Sequence, residues 1–464
     1  MSLPGLNLAT TPSQTQVTAA PTSAHKQELA ANTEYRFEAS FTHPLTIKLL
    51  SGTAEIFGSE LGPLTPYTFR GTKAAVYTWN GCSLEIEGTA ESEYVAEETT
   101  MMNYANAHFA LEGMRDEAAK NNDSGPRVLI VGPENSGKTS LAKVLTSYAL
   151  KMDRQPMVVN LDPREGMLSP PGSFSAAALS SILDVEKGWG SSPISGPSPV
   201  PVKMPIVYHY GMSSPEEGKL FKPLVTRMAL AVTSRLEKDV ASRHAGFIID
   251  TSGAISHGKG GIYENIDHII AEFSVNLVFV LGSERLNSDL TRKYANRKEE
   301  PVVVIKLDKS GGCVDRDEAY MKKLRQSQIK SYFFGDGGEN VLYPTLTFAD
   351  FTDLNIFQIQ QASNDTSAFR PGDDDDEDVY GSRPIYEKMT PTTLLQNTLL
   401  AVTTASPNDR QDVIRDSSIK GYIFIAEVDE AKQKLRVLSP QPGRMPSNAM
   451  VMGSFPEDVP GLLE

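Results

Sequence analysis

The eight residues from Gly132 to Thr139, Gly-Pro-Glu-Asn-Ser-Gly-Lys-Thr, fit the pattern G-x-x-x-x-G-K-T, and no other segment restricts the fold as tightly. The pattern needs a strand before it and a helix after it. The apolar run Val128 to Val131 supplies the first, and Leu141, Val144, Leu145 and Tyr148 recur at helical spacing to supply the second. In such a turn the glycines let backbone N–H groups point at phosphate oxygens, and the helix N-terminus adds partial positive charge. Gly132, Glu134, Asn135, Ser136, Gly137 and Ser140 are therefore candidate cradle residues. Lys138 is positioned to bridge the β and γ phosphates, and Thr139 offers a hydroxyl to magnesium. The expected ligand is a nucleoside triphosphate with Mg2+.

The rest of the chain is read outward from this unit. After Pro126 the runs RVLIV, PMVVNLD, PIVYHY, GFIID, VNLVFVL and PVVVIKL alternate with amphipathic stretches, the rhythm of parallel βαβ units. Residues 125–345 are thus expected to form a P-loop domain with a parallel sheet. Residues 29–102 instead carry short alternating runs broken by Gly, Pro and Asn, the pattern of a small β-sandwich. Tyr104, His108, Leu111 and Met114 predict a linking helix within 103–124. The segment 346–464 contains a hairpin, GYIFIAEV and LRVLSP around DEAKQK, and is read as a small C-terminal α/β domain. Residues 1–28 carry few large apolar side chains and are expected to be a disordered tail; 362–383, with Asp373 to Asp376, Glu377 and Asp378 in one block, are expected to be an acidic disordered insertion. The fold class is α/β multidomain.

A chain of 464 residues suits several domains. Its net charge of -14 argues against holding nucleic acid by bulk electrostatics, so any RNA contact should be local. Cys82 and Cys313 match no zinc spacing and are read as core thiols in a reduced compartment. No apolar stretch reaches the length of a membrane helix, and no leader pattern opens the chain, so an intracellular, soluble protein is expected. The seven histidines show no ligand spacing.

A P-loop site needs a further acid at the metal. Asp162 ends PMVVNLD and Asp250 ends GFIID, so one should serve the metal and the other support it. Arg285, Arg316 and Arg325 follow sheet strands and are candidates to close over phosphates. Trp79 is expected in the sandwich core. A regulatory GTPase is disfavoured, because KLDKS at Lys306 to Ser310 lacks the Asn of the guanine-reading motif.

Three blocks together resemble one family: SGTAEIFGSEL with YTFRGTKAAVYTWNGCSLEIEG, GPRVLIVGPENSGKTS, and KSGGCVDRDEAY with KSYFFGD. They are similar to the Clp subunit family of the pre-mRNA cleavage and polyadenylation machinery, fungal type, whose relatives include polynucleotide 5′-hydroxyl kinases. The resemblance implies ATP as the nucleotide, with Glu34 and Lys73 of the first domain reaching over to the adenine. Active kinases of this kind carry Asp-Val-Gly-Gln where this chain has Asp162, Pro163, Arg164 and Glu165, and a Trp where it has Ala254. The acceptor site is altered in space and charge. The resemblance therefore implies a nuclear, ATP-binding structural subunit without kinase turnover. Its implied partners are the cleavage-factor subunit that binds the RNA polymerase II C-terminal domain and other 3′-end processing factors. The alternative is an active kinase with Asp162 as base.

Overall fold

A computed structural model of the protein describes residues 24–190, 205–215, 220–258, 260–297, 301–335, 341–360 and 384–463. The expectations for the extreme N-terminus and for the acidic run at 373–378 lie outside the described residues.

The N-terminal β-sandwich stacks two antiparallel sheets. One runs in the order His25–Leu29, Cys82–Gly88, Leu45–Gly52, Pro66–Phe69; the other runs Ser59–Glu60, Glu55–Ile56, Thr72–Thr78, Thr33–Ala39, Ser92–Ala96. Strand alternation sorts the side chains. Tyr35 and Phe37 enter the core with Ile47, Leu84, Ile86 and Val76. Glu34, Arg36 and Glu38 must then face the other way, yet Glu34 and Arg36 are buried. Their face is covered by the central domain.

The central sheet has the order Ile206–His209, Ser173–Ala178, Met157–Leu161, Phe247–Thr251, Arg127–Val131, Leu277–Leu281, Val303–Leu307. The last five named are mutually parallel, whereas Ser173–Ala178 pairs antiparallel with both of its neighbours. This strand is absent from the sequence reading, because SFSAAA lacks the large β-branched residues that announce a buried strand. Its small side chains pack fully buried. Separate apolar clusters cover the two faces of the sheet. The helix Met101–Asn121 joins sandwich to sheet and packs beside the helix Lys138–Lys151 through Leu111 and Tyr104.

The C-terminal domain is a seven-stranded sheet whose pairs are antiparallel apart from Asn355–Ile359 with Ala449–Met452. The expected hairpin is its Ile419–Asp429 and Lys434–Ser439 pair. The helix Glu318–Phe334 lays Ile329 and Phe333 on this sheet, against Tyr422 and Phe424, while its first residues line the cavity described next.

Trp79 is not in the sandwich core. It meets Tyr77 edge-on at 4.8 Å and packs on the cluster shared with the central domain, since both leave the sandwich on its covered face. No described helix is long and apolar enough to cross a membrane.

Candidate functional site

The parallel strands end side by side. Asn160 registers with Asp250 and Leu161 with Thr251, so Asp162 and Asp250 emerge at one edge of the sheet, next to the loop that follows Val131. Asn135 at φ 54° and Gly137 at φ 86° turn this loop back on itself, left-handed conformations that Asn tolerates and Gly favours. The loop is braced from both sides. Ser256 Oγ accepts from the Gly132 N–H at 3.1 Å and donates to its carbonyl at 3.0 Å, and Ser136 donates to the Pro133 carbonyl at 2.8 Å. A Cβ on Gly253 would stand 2.4 Å from the Glu134 nitrogen, so only glycine lets the segment after Asp250 lie this close.

Above the loop is a cavity of about 410 Å³. Glu34, Lys73, Asn135, Lys138, Thr139 and Arg316 line it together, although they come from the sandwich, the phosphate loop and the segment before Glu318. Glu134, Ser136, Gly137, Ser140 and Asp162 line it too. Gly132 and Asp250 stand behind this wall. Of the candidate arginines, Arg285 is exposed beside Asp289 and does not line the cavity. Arg325 is buried in an ion pair with Glu457, tying the helix Glu318–Phe334 to the C-terminal segment rather than reaching a phosphate. Cys313 is not a core thiol: it lines the cavity, and its sulfur lies 2.8 Å from where a Cβ on Gly137 would be.

Electrostatics set the resting state. Burial lowers the pKa of Lys138, whose ammonium donates to the Pro133 carbonyl at 2.9 Å, within its own loop. Burial raises Asp250 to about 6, even though Thr139 donates to it at 2.6 Å. Asp162 is raised by burial and by the neighbouring Glu165. Burial also opposes charge on Glu165, but Arg316 at 2.5 Å, Lys143 and Lys138 outweigh it and hold that carboxyl low. Arg316 bonds Asn135 of the loop at 3.2 Å as well, so it already spans loop and acid. On the sandwich side, Glu34 accepts from Arg36 at 2.8 Å and from Thr99, and Lys73 pairs with Glu38 at 2.6 Å, 5.1 Å above the Tyr320 ring.

No group of three or more His, Cys, Asp or Glu suited to a metal occurs among the described residues. The donor set still fits magnesium, which keeps few protein ligands and takes the rest from phosphate and water. Thr139 with Asp162 would face the ion, and Asp250 would orient the Thr139 hydroxyl from behind.

The sequence assigned no part in the site to Asn160, whose side chain accepts from the Asp162 N–H and donates to the Glu165 carbonyl, or to Tyr104, named above only for its helical spacing, which donates to the Asp308 carbonyl. Neither carries a local signal. Ser310 to Val314 lies within KSGGCVDRDEAY, one of the blocks that carried the resemblance.

Family models match the chain in three blocks: the N-terminal β-sandwich domain of polyadenylation factor over residues 28–118, the P-loop of mRNA cleavage and polyadenylation factor CLP1 over 132–335, and pre-mRNA cleavage complex II protein Clp1 over 342–457. The mRNA cleavage and polyadenylation factor CLP1 of Phaeosphaeria nodorum is 65% identical over the whole of both chains. The chain belongs to the Clp1 family. The Botryotinia fuckeliana member of that family is 52% identical, over 98% of each chain. Two solved Clp1p–Pcf11p complexes superpose with TM-scores of 0.83 and 0.81 at 31% identity, covering 94% of this chain and 99% of theirs. The first is of a glycine-to-arginine point mutant in which Clp1p loses ATP, with an extended Pcf11p interface.

Proposed function

We propose that this Clp1-family chain is an ATP-binding structural subunit of the nuclear factor that cleaves pre-mRNA before polyadenylation, holding its nucleotide without kinase turnover. One observation carries this reading: the cavity over the phosphate loop is walled on one side by Glu34 and Lys73 of the sandwich and on the other by Lys138, Thr139 and Arg316. A ligand gripped by two domains stabilises their docking in proportion to its occupancy, so such a loop has a role without turnover. ATP would lie with its base toward Glu34 and Lys73, its phosphates on the loop from Gly132 to Ser140 and Arg316, and Mg2+ at Thr139, with Asp162 and Asp250 dividing the metal roles as described. The domain division read from the sequence serves this reading. The partner would be a Pcf11p-like subunit, since Clp1p is solved in complex with Pcf11p; the resemblance adds that this is the subunit that binds the RNA polymerase II C-terminal domain.

The alternative, an active polynucleotide 5′-hydroxyl kinase, draws on Asp162: a cavity-facing carboxyl held above its usual range is suited to accept a proton. Against it stands Ala254, where an aromatic platform worth about 1–3 kcal/mol per stacked base is missing. Incubation with γ-labelled ATP and a 5′-hydroxyl RNA oligonucleotide separates the two. The structural reading expects label to stay in ATP; transfer that disappears in Lys138→Ala would establish the kinase.

A further inference from the structure

Arg164 has no role in the grip just described, yet it is tied down from two sides. It follows Asp162 by two residues, and its backbone N–H donates to Asp162 Oδ1 at 2.9 Å, so the backbone holds the acid while the side chain points elsewhere. One guanidinium nitrogen lies 3.2 Å from Glu134 of the phosphate loop, and the other bonds Glu318, the first residue of the helix Glu318–Phe334. All three residues line the nucleotide cavity. The guanidinium thus connects the strand-end loop, the phosphate loop and that helix across the side of the cavity where Asp162 faces in.

A glutamate with 63% of its side chain exposed would ordinarily wander, but the other oxygen of Glu318 bonds Arg325. Arg325 is a rigid post. Its side chain is 1% exposed, stacks on the Phe455 ring at 5.2 Å, and is paired with both oxygens of Glu457 near the C-terminus. The chain of contacts runs Glu134, Arg164, Glu318, Arg325, Glu457, so the cavity edge is anchored in the C-terminal domain.

We infer that Arg164 is the residue that closes the Asp162 side of the cavity, its guanidinium clamped by Glu134 and Glu318 so that bound nucleotide leaves slowly and a second substrate is kept from Asp162. The inference rests on the nucleotide reading above. Arg suits the task because its planar fork serves two carboxylates at once, which the single ammonium of Lys does less well. The pairs are partly exposed and individually modest, so the closure is one that opens and shuts.

The test is the dissociation rate of a fluorescent ATP analogue with Mg2+, chased by excess ATP, from the full chain and from Arg164→Ala, Glu318→Gln and the double variant. Each single change should speed release by roughly three- to tenfold, the double by no more than the larger single, and Arg164→Lys should fall between. Equal release from wild type and Arg164→Ala, or fully multiplicative effects in the double variant, would overturn the inference. A wild type that does not bind the analogue defeats the nucleotide reading itself. A wild type that binds it while Arg164→Ala releases it no faster defeats only the role given to Arg164.

Discussion

The hydroxyl of Thr139 donates to the carboxylate of Asp250 at 2.6 Å, joining the first turn of the phosphate-loop helix to the strand behind it. Because Asp250 is buried, its carboxyl is held up to about 6. The folded chain therefore binds this proton more tightly than the unfolded chain, and Asp250 contributes stability at low pH that is lost as pH rises from about 4 through 6. A shift from 3.8 to about 6 corresponds to about 3 kcal/mol at most. Asp250→Asn should raise the melting temperature of nucleotide-free protein at neutral pH while weakening Mg2+-dependent nucleotide binding by tenfold or more, as paired thermal-shift and titration experiments would read. A lower melting temperature in Asp250→Asn would refute the burial argument.

Gly137 carries two constraints, a φ of 86° and the Cys313 sulfur 2.8 Å from any added Cβ. Gly137→Ala should lose about 1–2 kcal/mol from the backbone alone and more from the clash. Cys313→Ala in the same chain should recover the second part only. Nucleotide affinity of the single and double variants, measured by calorimetry, gives the division; complete rescue would mean that backbone strain is negligible here.

The sandwich is also tied to the phosphate-loop helix by Glu55, which accepts from the Tyr148 hydroxyl and pairs with Lys151 at 3.1 Å. Glu55→Ala takes the acceptor from the Tyr148 hydroxyl, while Lys151 keeps its pairing with Glu60 at 2.9 Å, and should destabilise docking by about 1–3 kcal/mol, whereas Glu55→Gln retains an acceptor and should lose less. Limited proteolysis between the domains would report the difference. Equal resistance in all three proteins would show that this contact does not hold the domains together.

Much of this was legible in the sequence where one physical rule acts alone. The strand before Gly132 and the helix after Lys138 follow from local apolar periodicity, and the sandwich from alternation broken by turns. Legibility fails where a second domain changes the meaning of a pattern. Glu34 and Lys73 sit on the polar face of their strands and by themselves read as solvent-facing; only the resemblance singled them out, and the burial of Glu34 and the partial covering of Lys73 depend on a domain more than fifty residues away in sequence. Trp79 and Arg325 were misplaced for the same reason, since each packs on a partner from another domain. The strand Ser173–Ala178 was hidden by its small residues.

If Glu34 and Lys73 hold the base, ATP should bind more tightly than GTP, and Glu34→Ala and Lys73→Ala should each weaken ATP by roughly tenfold and leave GTP nearly unchanged, so the ratio of the two affinities collapses. Competition titrations with both nucleotides measure that ratio. Parallel losses for ATP and GTP would place these residues away from the base.

The nucleotide carried by the purified full-length chain tests the proposed structural role most directly. The protein should be denatured after prolonged incubation with Mg2+, and the released nucleotide separated and quantified beside a Lys138→Ala control. Intact ATP at close to one per chain, absent from the control, is the expected result. No bound nucleotide, or steady conversion to ADP that stops in Lys138→Ala, would contradict a loop that holds ATP without turning it over.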